Sequence, residues 1–263
     1  MDQDAIITTA HALADAARAA ILPYFRGEAL NTENKHENGG FDPVTAADRA
    51  AEHAMRDMLA RARPDDAILG EEFGAQAGKS GLTWVLDPID GTRAFLSGAP
   101  TWGVLIAVSD ATGPVYGLID QPYIGERFEG GFGRARMTGP QGARALGTRG
   151  NRPLSESLLF TTYPEVGSPT EGAGFAELSR HVRLTRYGLD CYAYALLAAG
   201  QIDLVVEAGL AAYDIQAPIA VIEAAGGIVT DWRGGPVHRG GRAVAAAGRE
   251  QHAAALEILS RVA

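Results

Sequence analysis

Cysteine is nearly absent from this chain of 263 residues, Cys191 being the single one. One thiol cannot build a disulfide framework, so a reducing cytoplasm is the expected setting. No run of about 18 apolar residues occurs, which excludes a hydrophobic membrane-spanning helix. The opening MDQDAIITTAHALADAARAA is acidic and lacks a basic stretch leading into an apolar core, so no secretory leader is expected. Positive charge is in deficit, with 23 Lys and Arg against 32 Asp and Glu and a net charge of −9. A nucleic-acid backbone is then a poor partner. An anionic substrate would need a metal ion or a few local basic side chains. Internal repeats and low-complexity segments are also missing.

What is present has globular proportions. The chain is 46% hydrophobic and 21% charged, with 33 glycines to serve tight turns. Its length allows one large domain or two smaller ones that share an interface. Residues 4–26 carry Ile6, Ala10, Leu13, Ala17 and Ile21 at helical spacing and run toward Gly27. EALNTENKHENGGFDP follows without periodicity and reads as a mobile loop. Thr45-Ala46-Ala47-Asp48 has the form of a capping box, opening a helix to about Arg63. AILGEEFG reads as a short strand, and apolar stretches at 84–87, 102–109, 114–120 and 127–132 as an antiparallel meander behind the two helices. TRGNRPLSES, near 148–157, has linker composition. Beyond it, strands at 158–162, 182–187, 203–207, 227–231 and 243–247 alternate with helices at 190–200, 214–226 and toward 262. The expected architecture is layered α/β, with an N-terminal α+β part (1–147) and a C-terminal part with a mixed sheet (148–263).

WVLDPIDGTRAFLSG carries the strongest chemical signal. A strand broken at Pro88 can turn Asp87, Asp90 and the Ile89 carbonyl toward one point. Two carboxylates so close repel unless a cation neutralises them. An all-oxygen set suits Mg²⁺ or Mn²⁺, and Gly91-Thr92 can supply N–H groups and a hydroxyl to a phosphate. Glu71 in GEEF, Asp214 in YDIQAPIAVIEAAGG, and Asp42 and Asp48 around PVTAA are further carboxylates. Taken singly, each also reads as an acidic turn or a helix cap.

Together GEEFG, WVLDPIDGTRAF, DPVTAAD and YDIQAPIAVIEAAGGIVTDWRGG resemble the motifs of the inositol monophosphatase-like family of Mg²⁺-dependent, lithium-sensitive phosphatases. The resemblance extends from the first helix to the chain's end. It implies an αβαβα sandwich, usually a homodimer, acting on small phosphate esters with two or three Mg²⁺ ions. On matching positions it implies Glu71, Asp87, the Ile89 carbonyl, Asp90 and Asp214 as metal ligands. Gly91 and Thr92 become phosphate contacts, with Asp48 helping Thr92 to orient the attacking water and Glu71 adjoining them in catalysis. Two-metal sites of this kind hold their ions roughly 3.5–4 Å apart. No Cys-x5-Arg stretch surrounds Cys191, which argues against a phosphocysteine route and leaves Cys191 as a small buried residue.

The alcohol is a separate question. RLTRYGLDCYAYALLAAGQIDLVVEAGLAAYD and GAPTWGVLIAV resemble the branch that dephosphorylates L-histidinol phosphate in histidine biosynthesis. Its substrate carries an ammonium and an imidazole, which Asp190 and Glu207 could meet. Tyr187, Tyr192 and Tyr194 could stack on the imidazole, although core packing is the commoner use. Arg183 and Arg186 read as surface groups. The six histidines form no ligand pattern, and His36, His181, His238 and His252 are expected at the surface. Lys35, in the loop, could approach the substrate on closure. An inositol-1-phosphatase, or a broad sugar-phosphate phosphatase, is the alternative. A metal-occupied regulatory protein would be favoured by a missing ligand, and none is missing.

Overall fold

The computed structural model describes residues 1–27, 32–34 and 43–262. Lys35, His36 and Asp42 lie outside the described residues. Helix α1 (Gln3–Ile21) begins where Asp2 accepts the Ala5 N–H. It ends earlier than its periodicity implies, because Pro23 removes the next donor. Within the expected irregular segment, β1 (Thr32–Asn34) pairs antiparallel with β2 (Pro43–Thr45). Helix α2 (Ala46–Ala62) opens on the expected capping box: the Thr45 hydroxyl accepts the Ala47 N–H, and Asp48 accepts the Thr45 N–H at 2.8 Å.

The larger sheet contains β3 (Ala67–Gly70), β4 (Gly74–Gln76), β5 (Thr83–Asp90), β6 (Gly103–Asp110), β7 (Gly113–Gln121), β8 (Glu126–Gly131), β9 (Arg134–Gly139) and β10 (Gly142–Ala145). Their order is β10-β9-β8-β7-β6-β5-β3-β4. From β5 to β8 it is the expected antiparallel meander, which β9 and β10 extend beyond the stretches expected, whereas β3 runs parallel to β5. A short helix, α3 (Thr92–Ser97), bridges β5 and β6.

The smaller sheet is mixed, as expected. Strands β11 (Leu158–Thr161), β12 (Leu184–Tyr187), β13 (Leu204–Leu210), β14 (Ile228–Thr230) and β15 (Gly241–Ala246) take the order β12-β11-β13-β15-β14. Its helices are α4 (Pro169–Ser179), α5 (Cys191–Ala198), α6 (Ala212–Ala224) and α7 (Arg249–Leu259). Helix α4 was not anticipated, although Ser168 and Glu171 form a capping box ahead of it, with proline in the first turn.

Strand alternation sorts the core into layers. Trp84, Leu86, Val104 and Ile106 pack with α1 and α2, while Val85, Leu105 and Ala107 pack with α5 and α6. Val205, Ala243 and Ala245 close the same middle layer from the smaller sheet. Leu204, Val206, Val244 and Ala246 face Phe175 and Leu178 of α4 and Ala255 and Leu259 of α7. The result is the layered αβαβα arrangement. Helix α6 sits against backbone: a β-carbon at Gly117 or Gly130 would lie 2.5 Å from the carbonyl oxygen of Ala217 or Ala220. That contact brings the start of α6, with Asp214, to the end of β5. No helix among the described residues is long and apolar enough to cross a membrane.

Candidate active site

Asp87 and Asp90 are an odd number of residues apart, so a regular strand would point them to opposite faces. The register prevents this. Asp87 pairs with Leu105 and Asp90 with Gly103, so the β5 side of the ladder carries one extra residue. The bulge turns Asp90 onto the side of Asp87. Asp214, at the third position of α6, meets them there, and one carboxylate oxygen from each lies within 4.8 Å of the others. Asp214 also accepts the Ala211 N–H at 2.7 Å, so it serves the helix start without being its cap.

Asp90 is held from a second direction by the Cys191 N–H at the start of α5, at 2.6 Å from Oδ2. Cys191 itself is buried, as the sequence implied. Glu71, just past β3, is close enough to both Asp87 and Asp48 to raise their carboxyls. Burial pushes Asp87 well above the carboxylate range, with Glu71, Asp90 and Asp214 adding repulsion. Asp90 moves the same way through burial, then Asp190 and Asp214, with the Cys191 N–H opposing. Asp48 is lifted to about 6, chiefly by burial against its Thr45 hydrogen bonds.

At an effective dielectric near 20, a pair of unit charges at such spacing costs about 3 kcal/mol. The cluster therefore requires protons or cations. Two buried oxygens, Asp87 Oδ1 and Asp48 Oδ1, have no protein partner. Unpartnered carboxylate oxygens in an all-oxygen donor set fit a hard divalent cation.

Gly91 caps α3 with a left-handed φ of 87°, and the Thr92 hydroxyl donates to the Ile89 carbonyl at 3.2 Å. The sequence reading paired Thr92 with Asp48 around a water. The Thr92 hydroxyl bonds to Ile89 and the Asp48 carboxylate to Thr45, which leaves Asp48 Oδ1 without a protein partner.

A cleft of about 260 Å³ opens beside the cluster. Asp90, Gly91, Thr92, Asp190, Glu207 and Asp214 line it, together with Arg93, Thr162 and Tyr163. Asp190 stands at the start of α5 with φ 49° and makes no capping bond through its side chain. Its Oδ2 accepts from Thr101 at 3.4 Å, and burial lifts its pKa to about 6. Glu207, on β13, also faces the cleft. It is buried, bonded to the Thr161 and Thr162 hydroxyls and the Thr162 N–H, and raised to about 7 mainly by burial.

Arg93 and Tyr163 were not anticipated. The Arg93 guanidinium lies 4.9 Å from the Tyr163 ring centroid. Tyr163 follows β11, and loops after strand ends are where ligands bind in such sheets, which was the available signal. The three tyrosines considered for imidazole stacking do not line the cleft: Tyr187 is exposed, Tyr192 donates to Glu126, and Tyr194 is buried. Arg183, Arg186 and His181 are exposed, whereas His252 is half-buried against the Thr230 hydroxyl.

Residues 2–262 match the model of the inositol monophosphatase family. The chain belongs to the inositol monophosphatase family. It is 42% identical over 234 residues to a bifunctional chloroplast phosphatase, IMPL2, of Arabidopsis thaliana, covering 88% of this chain and 65% of that one. It thus spans under two thirds of the plant protein's length. The histidinol-phosphatase of Streptomyces coelicolor is 38% identical over 91% of each chain. A solved inositol monophosphatase from Zymomonas mobilis superposes with a TM-score of 0.86 at 38% identity, covering 99% of both chains. As a member of this metal-dependent phosphatase family, the chain carries the acidic cluster described above.

Proposed function

We propose that the protein hydrolyses L-histidinol phosphate to L-histidinol and phosphate. Glu71, Asp87, the Ile89 carbonyl, Asp90 and Asp214 would hold two or three Mg²⁺ ions, with Mn²⁺ as a substitute. The cleft supports a cation requirement, since Asp90, Asp190, Glu207 and Asp214 line it and, among the described residues, Arg93 is its one basic side chain. A phosphate dianion cannot enter such a field unaided. Bound divalent ions would supply the neutralising charge, acidify a water and stabilise the leaving alkoxide.

The chain's own groups do the rest. Gly91 and Thr92 contact the phosphate from the wall of the cleft. Asp48, anchored through Oδ2, keeps Oδ1 as the acceptor for a proton from the attacking water. The Thr92 hydroxyl, held by the Ile89 carbonyl, fixes that water's place beside the phosphorus.

The observation that favours the amino alcohol is the pair Asp190 and Glu207, one half-buried and one buried carboxylate lining the same cleft. An ammonium and an imidazolium satisfy both. The similarity to the Streptomyces histidinol-phosphatase supports the same substrate. Inositol 1-phosphate is the second reading, favoured by the Zymomonas neighbour and by the capacity of Glu207 to accept sugar hydroxyls. The free, buried Cys191 accords with a reducing cytoplasm. Side-by-side turnover of the two esters in Mg²⁺ decides the substrate. A higher kcat/KM for inositol 1-phosphate would overturn the histidinol reading.

A further inference from the structure

Helix α2 carries a second buried carboxylate one turn beyond Asp48. Glu52 is 0% exposed, and a buried charge must be compensated. Its compensation comes from one short turn and one arginine. Oε2 accepts the Glu72 N–H at 2.7 Å, and Oε1 accepts the Phe73 N–H at 3.2 Å and the Arg56 Nε–H at 2.8 Å. Arg56 continues along the same turn through the Gly74 carbonyl. On the other side of Glu71, a β-carbon at Gly70 would lie 2.0 Å from Glu52 Oε1. The Glu71 N–H meanwhile donates to the Leu86 carbonyl on β5 at 3.1 Å.

We propose that Glu52 is a positioning residue for Glu71, setting the affinity of the acidic cluster for divalent cations. This rests on the reading of Glu71 as a metal ligand. Glu52 touches the residue before Glu71 and hydrogen-bonds the two after it, so the backbone of Glu71 is fixed between α2 and β5. The same helix carries Asp48, so α2 sets two of the cluster's carboxylates relative to each other. Outer groups that orient ligands typically cost 10–100-fold in metal affinity or activity when changed. Gln at position 52 keeps the shape but has one acceptor oxygen where three donors converge, so the turn must shift.

The test is direct Mn²⁺ binding by calorimetry, run with Tm and steady-state kinetics in Mg²⁺. Glu52→Gln is compared with Glu71→Gln and with Glu129→Gln. Glu129 is an equally buried carboxylate, bonded to Tyr116 and His11 and outside the acidic cluster. Glu52→Gln should weaken Mn²⁺ binding about 10–100-fold, with kcat recovering at high Mg²⁺ and substrate KM unchanged. Glu129→Gln should lower Tm and leave Mn²⁺ binding alone. Gly70→Ala displaces Glu52 without altering its charge and should reproduce the metal defect if Glu52→Gln fails to fold. Wild-type Mn²⁺ affinity in Glu52→Gln, or in Gly70→Ala where only that variant folds, overturns the proposal while a weakened Glu71→Gln leaves the ligand reading standing. Equal weakening in Glu52→Gln and Glu129→Gln reduces Glu52 to a general stability element. Unchanged binding in Glu71→Gln overturns the ligand reading and the proposal with it.

Discussion

Asp190 and Gly91, from different sheets' connections, touch so closely that a β-carbon on Gly91 would lie 2.7 Å from the Asp190 carboxyl carbon. Gly91 also holds a φ of 87°, which side chains rarely adopt. Gly91→Ala must therefore shift the start of α3, the carboxylate of Asp190, or both. A misplacement near 1 Å can cost about 10²-fold in rate, and a kcat loss of that order is expected, with a lowered Tm. Steady-state kinetics check it, and an unchanged kcat would remove the close packing from the functional account.

The crowding of Asp87, Asp90 and Asp214 predicts opposite effects of one substitution with and without metal. EDTA should abolish activity, and saturating Mg²⁺ should raise Tm, since a ligand at 100 times its Kd stabilises by about 2.7 kcal/mol. Asp87→Asn removes a charge from three mutually repelling carboxylates. It should make the EDTA-treated protein more heat-stable than the unmutated one while losing the Mg²⁺ response and nearly all activity. Calorimetry of both proteins with EDTA and with Mg²⁺ is the check. A Mg²⁺-induced Tm shift as large in the variant as in the parent would contradict the assignment of Asp87 as a ligand.

These carboxylates were legible in the sequence because their spacing within DPIDGT, and the later Asp214, match a family pattern. The reason for the spacing was not. Only the pairing of β5 with β6 shows that an extra residue turns Asp90 to the side of Asp87. The layered fold followed from alternating apolar runs, but β9, β10 and α4 escaped because their sequences are glycine-rich and weakly periodic. Glu207 was expected beside the substrate, but its threonine bonds were not legible: they arise from β11 lying beside β13, a pairing no local pattern encodes. Arg93 escaped because its role depends on Tyr163, 70 residues away in the chain and stacked beneath it.

Thr92 offers a third test. Its hydroxyl donates to the Ile89 carbonyl, so Thr92→Ser keeps the bond and Thr92→Val removes it at constant shape. Thr92→Val should lower kcat by roughly 10²–10⁴-fold with a smaller effect on KM, the range for positioned proton transfer. Thr92→Ser should retain most of the rate. If Thr92→Val raises KM alone, the hydroxyl is a phosphate clamp and takes no part in placing water.

Glu207 gives the metal-free protein a defined pH dependence. Its pKa rises from 4.5 to about 7 on folding, so the folded state holds its proton more tightly than the unfolded chain. The stability it contributes is fully present below pH 4.5 and is lost as pH rises through about 7. Urea unfolding in EDTA should show stability falling across that window. Glu207→Gln, which cannot titrate, should flatten the decline. An identical slope in the variant would assign the titration to other groups.

Asp190 tests the substrate itself. As a plain helix cap it would bond the first N–H groups of α5, and its side chain makes no such bond. Its carboxylate faces the cleft, with Thr101 at 3.4 Å and Arg93 as its favourable charged neighbour. Asn tolerates a positive φ at least as well as Asp, so Asp190→Asn removes charge without adding backbone strain at φ 49°. A charge-assisted contact is worth about 1.5–3 kcal/mol. The variant should then lose about ten- to hundredfold in kcat/KM for histidinol phosphate, since 1.4 kcal/mol is a factor of about ten. Glycerol 2-phosphate presents no cation, so its turnover should fall far less. The difference between the esters carries the information, because a general loosening of α5 or of the Gly91 contact would slow both alike. Equal losses would leave Asp190 as a shaping element of the cleft and remove the argument for an amino-alcohol substrate.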